Sequence, residues 1–150
     1  MGPPVTTTAD QVFEDIRREH LSLAIKLGHL RRICEGEIRP GEEMAALLLD
    51  LYDALKTHFR NEEFNGFFSQ VTTKAPRLTH DANVLCAEHR EMLHTVSQLV
   101  RFAAAGAKSH EWWRELNNGI LVLADQLRRH EHDEDAILQR AYQEDIGVND

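Results

Sequence analysis

Four histidines occupy positions where a helical chain would place leucine. Apolar residues recur in alternating steps of three and four along four stretches, and each run contains one histidine. The runs are Phe13-Ile16-His20-Leu23-Leu27-Leu30, Met44-Leu48-Leu51-Leu55-His58-Glu62, Ala82-Leu85-His89-Met92-Val96-Leu99 and Leu116-Ile120-Leu123-Leu127-His130-Glu134-Ile137. Such steps trace one face of a helix. In two of the runs an acid follows the histidine by four residues, so His58 and Glu62, and His130 and Glu134, stand one turn apart on a shared face. Burying these groups with nothing to satisfy them costs roughly 1–3 kcal/mol per polar group, and more for a charge. A metal centre would neutralise all six together.

The donor types narrow the metal. Six ligands are too many for one zinc with an open position, and four imidazoles are too nitrogen-rich for calcium or magnesium. They suit two iron ions, each with two terminal histidines, bridged by the carboxylates. Manganese accepts similar donors, and the residues alone leave that choice open. A lone core histidine is more often a hydrogen-bonded structural residue; four at one level beside two paired acids reverse that expectation.

Whether they share a level depends on the elements that carry them. The periodicity predicts a first helix from about Thr8 or Asp10 to Cys34, with either residue as its N-cap, and a break over Glu35–Gly41 at Gly36 and Pro40. A second helix is expected from about Glu42 to Ser69, followed by a loop from Val71 to Thr79. Thr79 or Asp81 would cap a third helix ending near Gly106, and Ser109 a fourth reaching about Gln143. No segment alternates as a strand does. Four long helices with short connections predict an all-α, antiparallel up-down-up-down four-helix bundle over 9–146, with a flexible arm at 1–8 and a tail at 147–150. In that topology His20 lies about 14 residues before the end of its helix and His58 about 16 after the start of the next, so their depths agree within about 3 Å. The same count brings His89 level with His20, and His130 level with His89 within about 6 Å.

The bulk properties exclude more than they assign. A 150-residue chain with 42% hydrophobic and 28% charged residues reads as one globular domain. Its formal net charge of -8 disfavours nucleic acid and anionic membrane as partners. No uncharged apolar stretch is long enough to span a bilayer, and no signal peptide is visible, so a cytoplasmic location is expected. Cys34 and Cys86 fit no metal or redox spacing and read as free thiols, Cys86 as a small filler. Phosphate loops, nucleophile elbows and basic stripes are missing from the sequence.

Taken in order, Glu19-His20, His58-Phe59-Arg60-Asn61-Glu62-Glu63, Glu88-His89-Arg90-Glu91 and His130-Glu131-His132-Asp133-Glu134 resemble the hemerythrin-like family of HHE cation-binding domains. The resemblance spans about Asp10 to Tyr142. It implies a four-helix bundle holding a non-haem di-iron centre, usually oxo- or hydroxo-bridged. Carried over, His20 and His58 would bind one iron, His89 and His130 the other, and Glu62 and Glu134 would bridge them. Two departures from the oxygen-carrying members stand out. Their third helix looks like H-x-x-x-H, whereas the position four after His89 is Leu93, and His94 points about 100° further round. Those members also bridge with an aspartate at the place of Asp135, so Asp135 competes here with Glu134, the residue in the seam. Both departures bring the chain closer to the four-histidine, two-glutamate branch.

Among the remaining candidates, His94 is expected on a helix flank, His132 in solvent, and His29, His80 and His110 at the surface. Glu63 and Asp135 could orient histidines through their free ring N–H groups. One of Trp112 and Trp113 is expected to close one end of the core, and Phe59, Phe64, Phe67 and Phe68 to pack at the other or line access to the centre. Three functions follow from the family resemblance. The first is a di-iron protein that meets dioxygen or a related small ligand as sensor, carrier or scavenger. The second is a di-iron redox enzyme acting on peroxide, nitric oxide or ferrous iron, and the third an iron-responsive interaction module. Oligomeric state is not legible.

Overall fold

A computed structural model describes residues 9–106 and 109–148, with side chains described as far as 142. The expected N-terminal arm lies outside the described residues, as do 149–150 of the tail. Every regular element among the described residues is helical: α1 (Ala9–Cys34), α2 (Gly41–Phe64), α3 (Phe67–Lys74), a 3-10 turn (Pro76–Leu78), α4 (Thr79–Ala105) and α5 (His110–Val148). None is long and apolar enough to cross a membrane.

All four apolar runs face inward. In the runs of α2, α4 and α5 every apolar member is buried, and in α1 only Phe13 keeps partial exposure. At one end of the molecule Asn117 donates from Nδ2 to the Cys34 carbonyl at 3.1 Å, tying the start of α5 to the end of α1. The indole N–H of Trp112 donates to the Phe102 carbonyl at 3.3 Å, and both tryptophans, not one alone, are buried there. Gly41 opens α2 against the end of α4, where an added Cβ would collide with the Ala103 carbonyl. At the opposite end Phe13 meets Phe67 and Tyr142 edge-on at 6.0 and 5.6 Å, and Arg140 reaches Asp81 at 3.1 Å.

The apolar interior is divided in two. A larger cluster runs from Leu23 and Phe59 to Leu127 and the tryptophans; a smaller one gathers Val12, Ile16, Leu85, Ile137 and Ala141. Between them, in chain order and in space, lie the histidines and the two paired glutamates.

Three boundaries differ from expectation. The second helix ends at Phe64, not Ser69, because Gly66 turns the chain at φ 115, a conformation open to glycine and strained for other residues. The expected loop over Val71–Thr79 is instead α3 and the 3-10 turn, whose Phe67, Phe68, Val71, Ala75 and Leu78 form much of the smaller cluster. Phe64 at that break is 78% exposed and packs into neither cluster. The last helix continues past Gln143 to Val148, into the segment expected as tail.

The caps divide. Ser109 accepts the Trp112 N–H at 3.1 Å and opens α5 as expected. Thr79 does not cap α4: its hydroxyl donates to the Pro76 carbonyl at 2.7 Å, and the helix grows directly from the 3-10 turn, with Asp81 in its first turn. Asp10 likewise lies inside α1, and Thr8 lies outside the described residues.

Candidate metal centre

The six seam residues converge between the two apolar clusters. His58, Glu62, His89, His130 and Glu134 are buried, and His20 keeps 14% of its side chain exposed. Each imidazole presents Nε2 to the carboxylates. His58 Nε2 lies 3.4 Å and His89 Nε2 3.1 Å from Glu62 Oε1; His130 Nε2 lies 3.2 Å from Glu134 Oε1. His20 Nε2 stands between the two acids, 3.7 Å from Glu62 Oε2 and 3.6 Å from Glu134 Oε1. These donors form two overlapping groups that could hold a metal ion, His20-His58-Glu62-Glu134 and Glu62-His89-His130-Glu134, each with donor atoms within 4.8 Å of one another. Glu62 and Glu134 belong to both.

The outer ring nitrogens are held by acids from neighbouring helices. His58 Nδ1 lies 2.7 Å from Glu19 Oε1, His130 Nδ1 2.9 Å from Glu88 Oε1, and His89 Nδ1 3.3 Å from Glu63 Oε2. An ionised carboxylate only accepts, so each Nδ1 carries the proton and each Nε2 keeps its lone pair for the centre. The amide of Asn61 donates to both oxygens of Glu19 at 3.2 Å and steadies that acid. Glu63 is where the sequence suggested an orienting acid. Glu19 and Glu88 were not singled out for that role, although each precedes a seam histidine and so lies about 100° round the helix, facing the next one.

Phe59 forms the wall toward the larger cluster. Its ring stacks on His89 at 4.0 Å with 7° between planes and meets His130 edge-on at 5.8 Å. Phe68, from the helix that replaces the expected loop, lies 5.8 Å from His89 on the other side. The two rings flank the His89 imidazole.

The electrostatics show a site under stress without a cation. Burial and the neighbouring Glu134 charge push the Glu62 carboxyl well above its ordinary range. Burial alone would raise Glu134 too, but the close approach of Glu62, His130 and His20 outweighs it and holds Glu134 low. Burial, with the nearby His130 and His58, lowers His89 to about 3, so it is neutral at physiological pH. Burial opposes protonation of His20 and His130 as well, yet Glu134 together with Glu131 beside His20 and Glu88 beside His130 raises both. The buried side-chain atoms without a hydrogen-bond partner include His20 Nε2, His58 Nε2 and all four oxygens of Glu62 and Glu134. His89 Nε2 and His130 Nε2 face one another at 3.0 Å. With both Nδ1 atoms protonated, the two lone pairs oppose one another unless a proton on His130 or a cation lies between them. One or two divalent cations among these atoms would satisfy every one of them, so the donor set fits the metal that its residue types suggested.

The other candidates fall outside the site. His29, His80, His94, His110 and His132 are exposed. Asp135 is exposed and bonds none of the histidines; Glu134, not Asp135, points inward. Leu93 is partly buried against the larger cluster. Cys34 and Cys86 are free thiols that burial pushes up to about 11, and Cys86 packs against the smaller cluster. No protein-family model, curated protein or solved structure matches the chain.

Proposed function

We propose that this chain is a non-haem di-iron protein of hemerythrin-like type, an up-down-up-down bundle that binds dioxygen or a related small ligand such as nitric oxide or peroxide. The observation that carries the reading is the sharing of Glu62 and Glu134 between two groups of donors. A carboxylate common to two groups is what bridging of two ions requires, and four histidines divided two and two complete each set. The helix ends that meet, α1 with α5 and α2 with α4, support the bundle's direction. When bound, two ferrous ions would supply two electrons to a small oxidant.

The chain's own residues have defined parts in this reading. His20 and His58 would hold one ion, His89 and His130 the other, and Glu62 and Glu134 both. Glu19, Glu63 and Glu88 fix the imidazole tautomers, while Phe59 and Phe68 exclude water from the His89 side. A cleft of about 240 Å³, bordered by Glu88, Met92, Gln126 and His130, brings solvent to the outer edge of His130. Its orienting acid stays partly solvated there, at 33% exposed.

A redox enzyme acting on peroxide, nitric oxide or ferrous iron is the second reading. It is favoured by the missing fifth histidine: His94 is exposed and Leu93 stands at the family's ligand position. Each ion would then keep a position that exchanges ligands, which suits turnover better than reversible carriage.

One preparation separates these readings. Iron is counted per chain after anaerobic reconstitution, and oxygen is then added to the reduced protein while its optical spectrum is followed. A charge-transfer band that disappears when oxygen is removed supports carriage. Bleaching to a stable oxidised form that consumes peroxide supports the enzyme. Iron bound well below two per chain would overturn the di-iron assignment.

A further inference from the structure

The orienting acids follow a rotation around the molecule. Glu19 on α1 holds His58 on α2; Glu63 on α2 holds His89 on α4; Glu88 on α4 holds His130 on α5. Each acid is an immediate sequence neighbour of a seam residue on its own helix, which turns it toward the next helix round. One step is missing, from α5 back to α1, where His20 is the remaining imidazole. On α5 two acids directly follow a seam residue, Glu131 after His130 and Asp135 after Glu134, and both share the angular offset that Glu63 has from Glu62. Asp135, the direct counterpart of Glu63, is exposed, whereas Glu131 is partly buried.

Glu131 is also an unexplained residue. Its Oε1 is buried and accepts no hydrogen bond. Burial raises its pKa, and among its charged neighbours His20 opposes that rise most strongly. Apart from the Glu134 carboxylate 3.6 Å away, the charge that acts most strongly on His20 is that of Glu131. His132 and Asp133, the next residues along, are exposed and turned away.

We infer that Glu131 is a positioning residue that accepts the Nδ1–H of His20 and closes a four-membered ring of carboxylate–imidazole pairs running α1, α2, α4, α5 and back to α1. In the structure Glu131 Oε1 has no partner, and the inferred bond to His20 is the one it lacks. The ring gives every histidine the same tautomer, with the proton outside and the lone pair inside. It makes the His20 step the adjustable one, because His20 is also the most exposed of the four rings. The inference deepens the di-iron reading and rests on it for its purpose, but the His20–Glu131 pair can be tested without metal.

The test compares the wild type with Glu131→Ala and Glu131→Gln. Nitrogen-15 spectra of the histidine rings are recorded on metal-free protein under mildly alkaline conditions, with His20 assigned through His20→Gln. The wild type is expected to show His20 with its proton on Nδ1. Glu131→Ala is expected to shift that signal toward a mixture of tautomers, and Glu131→Gln to retain it, since the amide oxygen accepts the same bond. Anaerobic ferrous titration should then show one of two binding steps weakened about 10–100-fold in Glu131→Ala and largely restored in Glu131→Gln. His20 signals that are the same in all three proteins would overturn the inference. So would a loss of thermal stability in Glu131→Ala with an unmoved His20, since that marks packing alone. If the wild type takes up no iron, the di-iron reading fails and the ring spectra still decide the pair.

Discussion

At the scale of single residues, this protein places its most expensive side chains where they gain the least from the protein alone. Glu62 and Glu134 are fully buried, close together and without hydrogen-bond donors. Removing one carboxyl should therefore stabilise the metal-free chain while removing a candidate ligand. Glu62→Gln is expected to raise the metal-free melting temperature at neutral pH and to leave it little changed at low pH, because a carboxyl whose folded pKa is raised costs stability only above its ordinary range. Chemical denaturation of the two metal-free proteins checks it, and a less stable variant would contradict the picture of opposed carboxylates. Loss of a donor has the opposite signature in metal uptake. His58→Ala and Glu62→Ala should lose bound iron, whereas His132→Ala, at an exposed position, should retain it, as counted by elemental analysis after reconstitution.

At the scale of elements, the break between α2 and α3 decides how the site is closed. Gly66 at φ 115 lets the chain turn so that Phe67 and Phe68 enter the smaller cluster immediately after the last ligand of α2. Gly66→Ala should cost about 1–2 kcal/mol, the usual penalty for a side chain in left-handed backbone, and a Cβ there would also meet Val12 at 3.4 Å. Urea unfolding gives that number directly. Phe68→Ala should be worse locally than globally: it opens the wall beside His89, so amide exchange in α3 should rise more than in α4.

At the scale of the whole molecule, the proposed metal binding would link to protonation and folding in one equilibrium. The pKa values of His20 and His130 are raised above the ordinary 6.5. A base whose folded pKa is raised stabilises the fold below its unfolded pKa, and that contribution disappears as pH rises through the folded value. In the metal-free protein these two histidines therefore help least under alkaline conditions. Metal binding has the opposite dependence, since it needs both imidazoles neutral. Metal affinity should rise with pH above 6.5 until His20 and His130 have lost their protons, while His89, with a pKa of about 3, contributes nothing to that slope. Melting curves with and without ferrous iron should diverge most on the alkaline side of that window. A gap that is constant across pH would contradict the shifts at His20 and His130.

The seams were legible in the chain itself because a helix repeats every 3.6 residues and needs only one buried stripe. Hence all four apolar runs, their histidines and the two four-residue histidine–glutamate spacings were readable without coordinates, as were the exposed His94 and His132. Depth counting along helices was enough to put His20, His58, His89 and His130 in one layer. What the periodicity could not carry was anything set by the neighbouring helix. That Glu19 holds His58 and Glu88 holds His130 depends on the direction of an off-seam side chain across an interface. The preference for Glu134 over Asp135, by contrast, was already carried by the seam, and the burial of Glu134 beside an exposed Asp135 agrees with it. The segment from Val71 to Thr79 looks like a loop by composition, and becomes helix because the open end of the smaller cluster can be closed only by burying Phe68, Val71 and Leu78 together. A local pattern specifies which stripe is buried; only the packed neighbours decide what each buried polar group meets.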